Sequence, residues 1–252
     1  MIRKNKRLLH GNHKLDLGDR FLVRGLSLAP GNHAGVETCP ARGACFDSCL
    51  WFAGMVKFKQ TRQAMIDRTR DLWQDRRAFV GQLHGDLVKL SDDARAANLD
   101  ALVRFNVFSD LAWEGMCPDL FDHAADLGVG AYDYTKLVKR WRGQRDRREG
   151  YHLTYSYNEH SRPSLVADGL ADGLNVAVTV DLPKSKRNIE RLPDRWNIGG
   201  RWWPAVNGDR HDYRRREIDG EGVVVLLTTK GGPRVLRDGV RGGFIQPTFM
   251  SQ

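Results

Sequence analysis

Three cysteines, Cys39, Cys45 and Cys49, fall within eleven residues at the spacing C-x5-C-x3-C, and a fourth, Cys117, lies far along the chain. Thiolates bind soft metals, and they do so best from loops, because one rigid face cannot surround an ion. The segment Thr38-Cys39-Pro40-Ala41-Arg42-Gly43 carries the Pro and Gly of a loop and leads into an expected helix start. Three thiolates supply three corners of a zinc tetrahedron. Alternatively they hold three irons of a four-iron cluster and leave the fourth open. For zinc, the fourth ligand would be Cys117 or a histidine such as His33. No His-x-x-His or second Cys-x-x-Cys accompanies the three thiols, which favours iron–sulfur. The bland alternative is three small buried hydrophobes at a helix start.

The second chemical signal is cationic. Lys136, Lys139, Arg140, Arg142, Arg145, Arg147 and Arg148 lie in one short stretch with Trp141 among them. Arg210, Arg214, Arg215 and Arg216 follow Trp202 and Trp203. Cations interleaved with aromatic rings suit phosphate neutralisation and base stacking. A solvated helix face paired with Asp146 and Glu149 is the alternative. With a net charge of +9 over 252 residues, the chain as a whole favours a polyanionic partner, and nucleic acid is the expected one, DNA ahead of RNA. Gly208-Asp209-Arg210-His211-Asp212 offers Asp209 and Asp212 as secondary candidates for a divalent cation, although a turn before an edge strand explains them equally well.

These groups need a scaffold. Phe21-Leu22-Val23 reads as a short strand. Apolar residues at helical spacing run from about Phe58 to Leu90, with Gly81 and Gly85 as points of bending or division. Ser91-Asp92-Asp93 reads as the N-cap of a further short helix. From there, strand and helix patterns alternate. Strands are expected at 102–108, 130–134, 151–157, 176–180 and 222–229, and helices at 118–127 and 164–173. That rhythm argues for βαβ units and a mainly parallel sheet. The expected fold is a (β/α) barrel-like α/β domain, incomplete or closed, with an N-terminal cysteine loop. An open doubly wound sheet is the alternative. No phosphate-binding glycine fingerprint follows any strand. The organisation expected is a single domain, with the cysteine segment in 1–57, a βα core in 58–232 and a glycine-rich tail in 233–252.

Strand ends carry sites in such folds. They bring together Asp110 with Glu114, Asp133 with Lys136, Asn158 with Glu159, and Asp181. Polar residues also end strands simply because the chain is leaving the core. No run of eighteen apolar residues is present, so no membrane span is expected. The basic start followed by only Leu8-Leu9 is too short for a signal-peptide core, and a cytoplasmic protein is expected.

Thr38-Cys39-Pro40, Cys45 and Cys49 resemble the "TCPGA–C–CYA" signature of the phage protein family called Gene product 88. The strand ends Phe108-Ser109-Asp110, Tyr132 to Lys136 and Tyr155 to Asn158 also fit, as do Gly208-Asp209, Asp212, Arg214 and Thr229-Lys230-Gly231. The resemblance spans roughly residues 25 to 232. It departs after the third cysteine, where Leu50-Trp51 stands in place of a tyrosine. The resemblance implies a phage origin, a location in the cytoplasm of the infected host, and cysteines similar to those of radical-SAM-like barrels.

Two enzyme classes follow from it, both modifying nucleic-acid bases. In base exchange of the guanine-transglycosylase type, a transferase reaction, Asp110 and Asp133 are the candidate carboxylates. Lys136 and Glu159 stand beside them, and Tyr132, Tyr134, Tyr155 and Tyr157 are candidates to stack on an extruded base. In cluster-dependent chemistry, S-adenosylmethionine would occupy the same pocket, although the usual radical-SAM spacing C-x3-C-x2-C is absent. The contrasting class is a non-catalytic nucleic-acid-binding protein with a structural metal site.

Overall fold

Short apolar runs punctuated by glycine and proline become strands, and longer stretches with 3.6-residue periodicity become helices. The computed structural model describes residues 7–11, 20–146, 150–183, 185, 188 and 190–248. The chain divides into two compact units. The first takes residues 1–40, 58–133 and 147–152, and the second takes 41–57, 134–146 and 153–252.

In the first unit, β1 (Leu9–His10) pairs antiparallel with β2 (Phe21–Leu26). Parallel pairing then runs from β2 to β3 (Asp100–Arg104) and from β3 to β4 (Val129–Thr135). Helices α1 (Lys59–Gln74), α2 (Arg76–Ala96), α3 (Trp113–Met116) and α4 (Pro118–Asp126) complete it. One stripe of α2, Phe79, Leu83, Leu87, Leu90 and Ala94, is buried in the same core as Ala101, Val103, Val129 and Ala131. Removing such side chains from water is the main favourable term, roughly 1.5–3 kcal/mol for each large one.

The long helical stretch divides at Asp75 rather than at Gly81 or Gly85. Asp75 leaves helical geometry (φ −146°, ψ 80°), and its carboxylate accepts the Ala78 N–H at 3.0 Å as an N-cap. Gly81 and Gly85 lie inside α2. So does Ser91, expected to open a new helix; its hydroxyl instead donates to Leu127 O at 2.8 Å.

In the second unit, β5 (Tyr151–Ser156) pairs parallel with β6 (Val176–Pro183) through Tyr155 and Ser156. β9 (Val224–Thr229) lies parallel to β6, and β8 (Arg201–Asn207) lies parallel to β9. β7 (Arg195–Ile198) folds back antiparallel on β8 through Gly199-Gly200. The near-continuous apolar run Val176–Val180 suits a parallel strand covered on both faces. The unit's helices are α5 (Val138–Arg142), α6 (Pro163–Ala171), α7 (Arg216–Asp219) and α8 (Pro233–Arg241). Residues expected as a tail thus form α8, followed by β10 (Ile245–Gln246), which pairs parallel with β6 at Thr179 and Val180.

The barrel expectation is corrected. Closure requires every strand to have two neighbours. Strand order runs β1-β2-β3-β4 in the first unit and β5-β6-β9-β8-β7 in the second, with β10 on β6. β1 and β7 each end their path, and both are antiparallel additions. The fold is mixed α/β with mostly parallel strands, and the sheet is open. No described helix is long and apolar enough to cross a membrane.

Candidate metal centre

Cys39 is positioned by the first unit, on the loop that leaves β2 and against the loop that leaves β3. Thr38 is fully buried, and its hydroxyl donates to Ala29 O at 2.6 Å while its carbonyl accepts the Asp110 N–H at 2.8 Å. The Cys39 sulfur accepts the Gly31 N–H at 3.3 Å and lies 3.5 Å from Phe108 O, toward which the thiol hydrogen points. The Phe105–Leu111 segment is held from beneath. Asp133 accepts the Asn106 N–H at 2.7 Å, Asn106 Nδ2 at 3.2 Å and the Tyr151 hydroxyl at 3.1 Å. Asn106 Oδ1 in turn accepts Ser109 Oγ at 2.8 Å and the Leu111 N–H at 2.9 Å. The two strand-end residues nominated for base exchange are therefore used differently. Asp110 is buried beside the first cysteine, and Asp133 is an internal anchor of the loop that carries Asp110.

Cys45 and Cys49 belong to the second unit, where their loop meets the exit of β5. Asn158 forms a side-chain turn there, its Oδ1 accepting the His160 N–H at 3.0 Å. Glu159 projects from that turn, and its Oε1 accepts the Ala44 N–H at 2.6 Å. His160 Nε2 lies 3.5 Å from the same oxygen, while Oε2 is buried with no hydrogen-bond partner among the described residues. A Cβ on Gly43 would fall 1.8 Å from Glu159 Oε1, so only glycine leaves room for this carboxylate.

The other side of the loop rests on α8 and the turn after it. Ser48 Oγ donates to Val235 O at 3.3 Å. A Cβ on Gly239 would stand 2.7 Å from Ser48 Oγ, and one on Gly242 would stand 2.5 Å from Ala44 Cβ. Cys49 caps the short 3-10 turn Leu50–Phe52, its sulfur accepting the Trp51 N–H at 3.4 Å. In each unit, a cysteine segment thus docks outside the carboxyl end of a parallel strand, where open α/β sheets place their ligands.

All four cysteines are free, and Cys39, Cys45 and Cys49 are partly exposed. Among the described residues, no three His, Cys, Asp or Glu side chains stand together as a ready metal site. What is preformed is the surroundings of each thiol. Cys117 has different surroundings: it is buried at the start of α4 in the core with Trp113, Leu120 and Ala124. Burial, reinforced by Asp119, pushes its thiol pKa up, the wrong direction for a thiolate ligand. His33 is half-buried in the first unit.

Of the remaining candidates, Lys136 lies with its ammonium 5.4 Å from the centre of the Phe244 ring. Asp209 accepts both the Thr228 N–H (2.7 Å) and hydroxyl (2.6 Å), with Lys230 Nζ 3.8 Å from its other oxygen, so it ties strands rather than waiting for a cation. Asp212 is half-buried. Asp181 accepts the Thr248 N–H and hydroxyl. Tyr132 and Tyr155 are interior, and only Tyr134 and Tyr157 keep partial exposure.

The basic surface needs correction at two residues. Arg140 and Arg214 are 4% and 1% exposed, too buried to meet a phosphate backbone. Arg214 donates to Asp219 Oδ1 at 3.1 Å and Gly208 O at 3.4 Å, and also to the His211 carbonyl. Burial raises the Asp219 pKa to about 6 against the pull of Arg214. Burial, with Arg214 beside it, lowers His211 to about 4. Arg142 pairs with Asp172 at 2.8 Å and Arg215 with Glu217 at 2.6 Å, while Lys139 is exposed. Arg147 and Arg148, and the side chain of Arg145, lie outside the described residues.

Sequence reasoning missed the supporting residues Gly43, Gly239 and Gly242. The available signal was glycine at i and i+3 in a helical stretch, a spacing that clears one face. No curated protein and no solved structure matches this chain. The family model described as Gene product 88 matches residues 2–246, nearly its whole length, and the chain therefore belongs to the Gene product 88 family.

Proposed function

We propose that this protein is a metalloenzyme that modifies a base of nucleic acid, DNA before RNA, using an iron–sulfur cluster on Cys39, Cys45 and Cys49. The observation that carries the reading is the docking of each cysteine segment at a strand's carboxyl end, with backbone N–H groups aimed at the sulfurs of Cys39 and Cys49. Such N–H donors stabilise negative charge on sulfur and tune a cluster's potential. Cys39, Cys45 and Cys49 would hold the cluster, which would supply one-electron chemistry with S-adenosylmethionine as the co-substrate. Asp110, fixed to Thr38 through its backbone, is the residue favoured to meet the target base.

Carboxylate base exchange is the weaker reading, because it needs two available carboxylates and Asp133 is fully buried with its oxygens engaged by Asn106 and Tyr151. A zinc ion with simple nucleic-acid binding is the other reading, favoured by the net charge of +9.

Anaerobic purification followed by an optical spectrum and metal analysis tests this. The expected result is a broad near-visible absorbance with about four irons per chain, both lost in Cys45→Ser. A colourless protein with a single zinc would overturn the cluster and leave the binding reading. Affinity for DNA should fall steeply with salt, and a salt-independent affinity would remove the phosphate contacts.

A further inference from the structure

We infer that Glu159 is a positioning residue for Cys45. Sequence pattern nominates it as a catalytic carboxylate, but its geometry is that of a clasp. One carboxylate oxygen, Oε1, accepts the Ala44 N–H at 2.6 Å, the amide immediately before Cys45. The Phe46 N–H closes a turn on Gly43 O at 2.9 Å, so Ala44 and Cys45 are the two central residues of that turn. Glu159 therefore fixes the Gly43–Ala44 peptide plane, the first plane of the turn that carries Cys45. A charge-assisted hydrogen bond to a backbone N–H is among the stronger single contacts available to a loop.

Two further contacts make the arrangement specific. Gly43 has no Cβ where a methyl would sit 1.8 Å from the accepting oxygen, so the turn is shaped around the carboxylate. Gly243, in the turn after α8, approaches Glu159 closely enough that a Cβ there would lie 3.3 Å from Glu159 Cβ. The side chain is thus confined between the cysteine turn and the segment leading into β10. His160, 3.5 Å from Oε1 and largely exposed, adds a weak solvent-screened contact.

The purpose assigned to this clasp, presenting Cys45 as a ligand, rests on the metal-centre reading above. The clasp itself does not, and the two are tested separately. In the reduced, metal-free protein, the rate of Cys45 alkylation by iodoacetamide is followed by peptide mass spectrometry, with buried Cys117 as an internal reporter of global folding. Glu159→Ala should raise the Cys45 rate about tenfold, the value of one lost charge-assisted hydrogen bond. Glu159→Gln, which keeps an oxygen for the Ala44 N–H, should restore it to within about twofold of the parent. Gly43→Ala should reproduce Glu159→Ala while leaving the carboxylate in the chain.

If Cys45 reacts at the parental rate in both Glu159→Ala and Gly43→Ala while Cys117 stays protected, the clasp is refuted. If Glu159→Ala also exposes Cys117, the fold has opened, and Gly43→Ala alone decides. A parent protein that binds no metal yet shows the expected alkylation pattern would refute the metal-centre reading and keep the clasp.

Discussion

Asp133 and Glu159 both follow from the same sequence signal, a carboxylate near the exit of a parallel strand, yet the two units use them in opposite ways. In the first unit Asp133 has no exposed surface and gathers three donors from Asn106 and Tyr151. It is an internal strut under the loop that holds Cys39. In the second unit Glu159 reaches out from the strand exit to a single amide on the cysteine loop, and one of its oxygens has no partner among the described residues. A carboxylate's use is set by which N–H groups lie within its reach. Asp133 is shorter by one methylene and is surrounded before it can reach anything else, whereas Glu159 stands past the last paired residue of β5.

The strongest way to break this contrast is Asp133→Ala. It strands two donors of Asn106 and the Tyr151 hydroxyl, and should cost about 4 kcal/mol, a fall of roughly 10 °C in Tm, read by urea and thermal unfolding. An unchanged unfolding midpoint with lost activity would make Asp133 a reacting group after all. Next in size is Gly239→Val in α8, where the new side chain would meet Ile245 and Ser48. The expected loss is about 2 kcal/mol, with faster alkylation of Cys49. A stable variant with unchanged Cys49 reactivity would detach α8 from the cysteine loop.

A smaller effect concerns the buried cluster around Arg214. Asp219 has its pKa raised from 3.8 to about 6, so its protonated form is favoured on folding, and its contribution falls as pH rises through that window. His211 is lowered from 6.5 to about 4, so its contribution grows as pH rises through that window. The two slopes oppose each other between about 4 and 6. Stability measured by urea titration should therefore decline with rising pH in His211→Gln and increase with rising pH in Asp219→Asn, with the parent flatter than either. Parallel slopes in both variants would defeat the assignment. The smallest effect is at the surface: Lys139→Ala should weaken DNA binding about twofold and lower the salt slope by about one. Arg214→Ala should instead unfold the protein more readily, because its partners are internal.

The strand rhythm was legible because fully buried parallel strands such as Val176–Val180 are written as continuous apolar runs. Closure was not legible, since it depends on what the first and last strands pair with. Here those are the two-residue strand β1 and the arginine-flanked β7, neither of which has a strong local signal. The helix break fell at Asp75 because a capping carboxylate outweighed the weaker disruption of Gly81 and Gly85. Arg140 and Arg214 were read as surface because arginine usually is; the carboxylate that admits Arg214 to the interior, Asp219, is visible only once α7 forms. Glycines 239, 242 and 243 looked like a flexible tail because a glycine that makes room and a glycine that loosens a chain are the same letter.

The second unit's cysteine loop, residues 41–57, comes early in the chain, while its seat on α8 comes late: Ser48 and Val235 are 187 positions apart. During synthesis the ribosome exposes both thiols of this loop long before their support exists. At about 5–20 residues per second that interval lasts on the order of ten seconds or more. The loop can take its final form only after translation has passed α8, and a ribosome stalled before Pro233 would carry Cys45 and Cys49 without that seat, as open, oxidisable thiols.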